Sequence, residues 1–465
     1  MATQLLDPKI RERASIRLAL PVWFWMALVA FAIRLAVIPF VYDEWLNPYN
    51  LLHFEPANVA RALLAGHGFG SPFLSDQPSA IMSPVYPLVL SAIFSIFGIQ
   101  TAASVFAMLG LNSLFSALAC IPIFLVAREN FGSRTGHLAG WGWAFFPYGV
   151  YFSAEWAWST HLLLLVLCWM IYLALQLEGS RQLRLWAGFG LLAGFAALIE
   201  PVAIPVFGIL LAMAVRSLWL ERIRWFAPAM IAVLCFASFT APWAVRNTLV
   251  MHRFVPVRSG MGLEMFLGNT GNNLHWRSGA NHPNHNPAEL AEYNRDGEMA
   301  FMDHKMAQAK IYIAEHPGWY VKMCVRRFAY MWTGYWSFDP KYLAEEPLDL
   351  ANIPVATTIT LLALIGLVLS WRFHRDETLR YGLILLAFPM VYYLVHPETY
   401  YLRPIDPILV ILGSYTLVRI EQKIRLGLRG KDALPEQKKV FSYAERILAP
   451  ACVQVPDRGK LYPLN

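Results

Sequence analysis

Two carboxylates lie where a predicted helix meets a polar segment. Glu55 is followed by Pro56, and Glu155 ends the stretch Phe152-Ser153-Ala154-Glu155. An ionised, partly desolvated carboxylate can accept the proton of an attacking hydroxyl or bind a hard divalent cation. The alternative for Glu55 is a helix-start acid beside Pro56 in the first turn, and for Glu155 an interfacial residue among aromatic anchors. Glu200 poses the same question at another helix end.

Cationic side chains in polar segments provide candidates for binding phosphate. Arginine suits phosphate because its planar guanidinium donates two parallel hydrogen bonds and stays charged. The alternatives are contact with lipid headgroups or pairing with nearby acids such as Glu398 and Asp406. The candidate phosphate ligands are Arg246, Lys322, Arg326, Arg327 and Arg403.

Histidines in the second polar segment include His282, His285 and His304. Their spacing matches no compact zinc pattern. The sequence therefore favours a solvated polar loop here over a metal site.

Long apolar runs must position these groups. The 465 residues are 57% hydrophobic and 15% charged, and the apolar runs have about the length that crosses roughly 30 Å of hydrocarbon. The runs do not alternate as barrel strands would. An all-α integral membrane protein is predicted, with runs at 20–41, 101–127, 136–152, 158–177, 185–199, 202–215, 225–243, 351–371, 379–395 and 404–418.

The basic connections predict the direction of each crossing. Counting ten crossings from a cytoplasmic N-terminus places five basic connections inside, in agreement with the positive-inside rule. This count requires residues 84–98 to form an interfacial or re-entrant helix. The basic N-terminus should precede an uncleaved anchor helix. Because the net charge of +7 is concentrated beside helix ends, membrane lipids are the expected partners and nucleic acid is not.

This topology divides the chain into five parts. They are a cytoplasmic N-terminus (1–19), an N-terminal transmembrane module (20–245) with a first outer loop (42–100), an extracytoplasmic segment (246–350), C-terminal transmembrane helices (351–418) and a cytoplasmic tail (419–465). Interfacial helices are expected in both outer segments. The chemistry-bearing residues are thus expected on the extracytoplasmic face.

Dispersed motifs resemble the GT-C glycosyltransferases, particularly bacterial family 39, aminoarabinose and protein O-mannosyl transferases. They include Glu55 with Ala60-Arg61-Ala62-Leu63, Ser83-Pro84-Val85-Tyr86-Pro87, Arg246-Asn247, Leu267-Gly268-Asn269 and His316-Pro317. The resemblance implies a GT-C-like bundle of about ten transmembrane helices in a bacterial inner membrane. It implies inverting transfer of a sugar from a polyprenyl-phosphate donor to an envelope lipid, glycan or protein. One departure is Tyr400-Tyr401-Leu402-Arg403-Pro404, where relatives commonly have Arg-Tyr-Arg before Pro.

The resemblance assigns roles to individual residues. Glu55 and Glu155 are the expected catalytic acids, with Glu55 as the candidate ligand of a divalent cation. The donor phosphate is expected at Arg246, Lys322, Arg326 and Arg403, and the substrate at Arg61, Tyr86, Asn247, Asn269 and His396. The alternative functions are a lipid-linked sugar transporter or flippase and a non-catalytic membrane assembly protein.

Overall fold

The computed structural model describes residues 20–46, 54–270, 279–345 and 348–432, apart from 74, 76, 156 and 399. The regular elements in these ranges are helices, which confirms the all-α class. The α-helices are α1 Val22–Trp45, α2 Glu55–Leu64, α3 Val85–Phe97, α4 Ala102–Leu118, α5 Cys120–Phe131, α6 Ser133–Ala144, α7 Pro147–Glu155, α8 Thr160–Leu177, α9 Leu183–Ile199, α10 Ala203–Leu220, α11 Phe226–Met251, α12 Met261–Asn269, α13 Pro287–Asp296, α14 Glu298–Glu315, α15 Pro317–Thr333, α16 Pro340–Glu345, α17 Asp349–Ser370, α18 Arg375–Ala387, α19 Met390–Leu394 and α20 Asp406–Asp432.

Within the described ranges, six stretches are long and apolar enough to cross a membrane: α1, α4 with α5, α8, α10, α11 and α17. The predicted run 136–152 is divided between α6 and α7, and the run 379–395 between α18 and α19. Each division lies beside a proline, Pro147 or Pro389, which cannot continue the preceding helix. The remaining crossings stay predictions.

Residues 84–98 were predicted not to span. Helix α3 has 13 residues, so it is about 20 Å long at about 1.5 Å per residue. That length is shorter than the roughly 30 Å of a hydrocarbon core. An interfacial or re-entrant position for α3 remains our prediction.

Small residues allow the bundle helices to pack closely. At Gly190 of α9, an added Cβ would overlap the carbonyl of Ala232 in α11. Glycine is therefore required for the backbones of α9 and α11 to approach this closely, as small residues do between membrane helices.

Arg34 supports the division between α6 and α7 from inside the bundle. Its fully buried guanidinium donates to the carbonyl of Ala144 at 3.0 Å, the carbonyl of Trp143 at 3.1 Å and Ser116 Oγ at 2.9 Å. The carbonyl of Ala144 lies in the last turn of α6, where the helix supplies no N–H donor, whereas the carbonyl of Trp143 also accepts from the backbone N–H of Phe146 at 3.2 Å. Arg34 thus provides hydrogen bonds that water cannot provide in lipid.

Contacts between connections form two sets at opposite ends of the long helices. Before α10 begins, Glu200 contacts Arg258, whereas near its end Arg216 pairs with Asp376 at 2.8 Å. The second set also contains Gln176 with Glu129, Glu178 with Arg380 and Asn130 with Tyr381. These residues lie in or beside the connections predicted to be cytoplasmic, so the fold brings those connections to one end.

Candidate functional site

Glu55 lies at the first position of α2, where a carboxylate complements the helix dipole. Its Oε1 is 3.1 Å from Nε2 of His282 in the second outer segment, and both side chains are about four-fifths buried. The prediction of a solvated loop is therefore wrong for His282. The contact joins two segments that sequence spacing alone could not relate.

A second acid–histidine pair connects α12 to the loop before α20. Oε2 of Glu264 lies 2.5 Å from Nε2 of His396. Burial would raise the pKa of Glu264, but His396, followed by Arg258, lowers it to about 2. Burial would lower the pKa of His396, but Glu264 outweighs that effect and raises it. The contact therefore favours the charged forms of both side chains.

Arg258 forms the third pair, with Glu200 at 2.8 Å. Its Nε also donates to the carbonyl of Ile81 at 2.6 Å, and Ser159 Oγ donates to Glu200 at 2.9 Å. Burial alone would lower the pKa of Arg258. The carboxylates of Glu200 and Glu264 outweigh that effect and raise the pKa above its usual value, so the guanidinium stays charged. The sequence predicted Glu200 as a further candidate carboxylate at a helix end, but Arg258 was not among the predicted cationic residues.

The three pairs belong to one electrostatic cluster. Burial, followed by Glu398, Glu55 and Glu264, raises the pKa of Tyr400 well above its usual range. Because Glu55 and Glu264 both act on Tyr400, and Glu264 also interacts with Arg258, each pair is within electrostatic reach of another. We call this set the outer cluster: Glu55, His282, Glu264, His396, Arg258, Glu200 and Tyr400.

Arg327 and Asn269 hold α12 in place beside the outer cluster. The buried guanidinium of Arg327 donates to Asn269 Oδ1 at 3.0 Å and to the carbonyls of Leu394 and Gly268. Asn269 in turn donates to the carbonyl of Leu394 at 2.9 Å. These contacts fix α12 against the chain that carries His396, so Asn269 acts here as scaffold.

Arg246 and Asn247 organise the first outer segment. Arg246 donates to the carbonyls of Ser79 at 2.7 Å and Phe69 at 3.0 Å. Asn247 is buried and donates to the carbonyls of Val255 and Val257. Backbone carbonyls thus use the donors that were predicted to bind the donor phosphate at Arg246 and the substrate at Asn247.

The other phosphate candidates have different environments. Arg403 is buried, pairs with Asp406 at 3.1 Å and lies over the ring of Tyr148. Arg326 donates to the hydroxyl of Tyr330, while Lys322 is exposed on the same helix, α15. Lys322 and Arg326 therefore contact no acid at ion-pair distance in the part of the chain that the structure describes.

The remaining predicted residues lie around α2. The carbonyl of Glu155 accepts from Trp45, whose ring packs on Phe54 at 5.0 Å, one residue before Glu55. Arg61 donates to Asn58. Tyr86 is buried and accepts from Asn112 at 3.2 Å. These contacts place Glu155 near α2 and give Tyr86 a role in packing.

No group of three or more His, Cys, Asp or Glu side chains suited to a metal occurs within the described ranges. Glu55 with His282 and Glu264 with His396 are each pairs. The expectation of a divalent cation at Glu55 stays a prediction.

Residues 76–243 match the family described as dolichyl-phosphate-mannose-protein mannosyltransferase. The match begins in the first outer segment, ends in α11 and covers just over a third of the chain. No curated protein matches the chain.

The fold is similar to that of an archaeal oligosaccharyltransferase. The apo oligosaccharyltransferase of Archaeoglobus fulgidus superposes with a TM-score of 0.50 at 12% identity, covering 92% of this chain and 54% of that one. The chain has a GT-C fold. ArnT from Cupriavidus metallidurans, solved with undecaprenyl phosphate, has a TM-score of 0.36 at 13% identity, covering 87% of this chain and 81% of that one.

The family match over residues 76–243 agrees with the resemblance to GT-C glycosyltransferases that the sequence motifs indicated. The chain spans about half the length of the oligosaccharyltransferase structures that it matches. One signal could have revealed Glu264 earlier: it is the single charge in the apolar stretch 261–269. A lone acid on a short apolar helix needs a partner, and here that partner is His396.

Proposed function

We propose that this chain is a membrane glycosyltransferase that moves a sugar from a polyprenyl-phosphate donor to an acceptor hydroxyl on the extracytoplasmic face. The observation that carries the proposal is the outer cluster, in which Glu55 lies at a helix start among buried ionic pairs. The family match, the GT-C fold and the membrane helices support it. The acceptor class is an envelope lipid, glycan or protein.

Glu55 is the general base in this proposal. Its carboxylate takes the proton of the acceptor hydroxyl as the oxygen attacks the anomeric carbon, and the bond to the lipid phosphate breaks on the opposite face, which inverts the anomeric centre. Glu155, whose backbone contacts Trp45, is the second acid. In the alternative role for Glu55, its carboxylate binds a divalent cation instead of taking the proton, since carboxylates are ligands of hard metal ions. Loss of transfer on chelation and recovery with added Mg²⁺ would support it.

The departing phosphate needs cations with available donors. Lys322 and Arg326 on α15 are our first choice, because Arg246 donates to two carbonyls and Arg403 pairs with Asp406. Arg246 and Arg403 then contribute positive charge and position their segments. His396 is the candidate for sugar contact, while Arg61, Tyr86, Asn247 and Asn269 shape the pocket.

The proposal also includes the side of the membrane on which the outer cluster lies. The connections that form the contacts opposite the outer cluster contain the basic residues expected in the cytoplasm. Both termini are then cytoplasmic, the outer cluster faces away from the cytosol, and the location is a bacterial inner membrane. Cysteine labelling of residue 55 and residue 376 from either side should give opposite accessibility.

The deciding experiment is transfer in proteoliposomes with a panel of radiolabelled polyprenyl-phosphate sugars. Glu55→Gln should lower transfer by roughly 10²–10⁴-fold because the amide cannot accept the proton. Glu315→Gln, an exposed acid in α14, is the matched control and should leave transfer unchanged. Full activity of Glu55→Gln would remove Glu55 from the chemistry, and donor movement without labelled acceptor would favour a flippase.

A further inference from the structure

His282 is held in one orientation from several directions. Its carbonyl accepts from the backbone N–H groups of His285 at 2.8 Å and Asn286 at 2.9 Å. Its ring packs edge-on against Phe73, with centroids 5.3 Å apart. Asn286 also caps α13 by accepting from Ala288 N at 3.0 Å. The turn before α13 therefore fixes both the backbone and the ring of His282.

The hydrogen bonds of His282 define which nitrogen carries the proton. Nδ1 accepts from the backbone N–H of Asn284 at 3.2 Å. A neutral imidazole with an accepting Nδ1 must carry its hydrogen on Nε2. Nε2 is the atom 3.1 Å from Oε1 of Glu55, so it donates to that carboxylate.

We propose that His282 is the positioning residue for Glu55 in sugar transfer. This inference rests on the proposed function, in which Glu55 is the general base. The Nε2–H of His282 holds Oε1 and so sets the carboxylate plane, and Oε2 is the oxygen that receives the acceptor's proton. His282 neither gives nor takes a proton in the step. Its role is orientation, as when a catalytic base is itself oriented by a third group.

The position of His282 in the chain has a consequence for assembly of the site. Glu55 belongs to the first outer segment, whereas His282 belongs to the second and is fixed by the turn that starts α13. Phe73, which supports the His282 ring, also packs on Tyr293 of α13 at 5.0 Å. The base is therefore oriented only when the two outer segments are folded together.

Transfer kinetics test the proposal through two variants of one residue. His282→Ala removes the donor and should lower kcat by up to about 100-fold with little change in KM, because the base is misplaced while substrate contacts remain. His282→Gln places an amide N–H near the position of Nε2 and should restore most of the lost kcat. His316→Ala, an exposed histidine of the same segment, should behave as wild type.

A double-variant cycle shows whether His282 acts through Glu55. In a Glu55→Gln background, His282→Ala should cause almost no further loss, because residues that act as a unit are not additive. Additive losses, or no rescue by His282→Gln, would overturn the proposal.

A spectroscopic measurement tests the same contact without requiring transfer. In ¹⁵N-histidine-labelled protein in nanodiscs, the His282 signal, assigned by its disappearance in His282→Gln, should show a protonated Nε2 and an unprotonated Nδ1. Glu55→Gln should shift the Nε2 signal, whereas Glu315→Gln should not. If Nδ1 carries the proton, or if Glu55→Gln leaves the signal in place, the contact is wrong. If the contact is present but wild-type protein transfers no sugar, the proposed function fails instead.

Discussion

The pair of Glu264 and His396 allows charge to be removed while a hydrogen bond is kept. Their side chains meet at 2.5 Å, with the pKa of Glu264 lowered from 4.5 to about 2 and that of His396 raised from 6.5. Replacing His396 by glutamine retains a neutral N–H donor and removes the positive charge. The variant thus isolates the ionic part of the contact.

The expected magnitude follows from the pKa of Glu264. A carboxyl whose pKa falls from 4.5 to about 2 on folding contributes about 3 kcal/mol if fully enclosed. Because 34% of this side chain is exposed, solvent screening reduces the figure to about 1–2 kcal/mol. The histidine contribution is complete below pH 6.5 and is lost as pH rises through its raised pKa. The carboxylate contribution is complete above pH 4.5 and is lost as pH falls towards 2.

Hydrogen exchange of the α12 amides in nanodiscs measures this local stability. At pH 6, His396→Gln should lower protection of residues 261–269 by roughly 5- to 30-fold, which corresponds to 1–2 kcal/mol. At a pH above the raised pKa of His396, after correction for intrinsic exchange rates, the two proteins should differ little because neutral histidine and glutamine both donate. His67→Gln, an exposed histidine, is the control. An equal loss at both pH values, or no loss at pH 6, would refute the ionic account.

Two further predictions concern the scaffold of the outer cluster. Lys305 is fully buried, pairs with Glu289 at 2.5 Å and Glu292 at 3.0 Å, and lies over the rings of Phe266 and Phe301. Lys305→Met should therefore destabilise the outer segment by about 3 kcal/mol, seen as a lower thermal midpoint that Lys322→Met does not share. At Gly268 an added Cβ would overlap the carbonyl of Val395, so Gly268→Ala should cost about 1–3 kcal/mol and reduce transfer. Gly318→Ala is the control, because its added Cβ meets no atom within 4 Å, and it should lower neither stability nor transfer. Equal losses in Gly268→Ala and Gly318→Ala would argue against close packing at Gly268.

Hydropathy predicted much of the helical fold but not its interruptions. The runs containing α1, α8, α10, α11 and α17 are continuous apolar sequences, so their helices follow from length and composition. The division between α6 and α7 lies within an aromatic run, where hydropathy stays high across Pro147. Its stabilisation by Arg34 depends on a contact between residues about 110 positions apart. Such a contact has no local sequence signal.

The outer cluster was predicted only in part, for a related reason. Glu55 and His396 were identified from their segments, whereas Glu264 is 132 residues from His396 in the chain. Arg246 was assigned to the donor phosphate and Asn247 to the substrate because their residue types suit these ligands, but the structure uses their donors on backbone carbonyls. Residue type establishes what a side chain can bind. Only the fold determines which of its donors are already in use.

The ionic pairs of the outer cluster each connect different parts of the chain. Glu264 with His396 joins the second outer segment to the loop before α20, and Arg258 with Glu200 joins it to the hairpin of α9 and α10. Replacing both partners of a buried ion pair by apolar residues changes stability little, because desolvation offsets much of their attraction, whereas removing one partner alone is destabilising. In the transfer that we propose, their value lies in fixed charges, since dipoles and ions that are oriented before the reaction need no reorganisation as phosphate charge develops. Stability and activity should therefore be separable at these pairs, which is not expected of the apolar core that carries the helices.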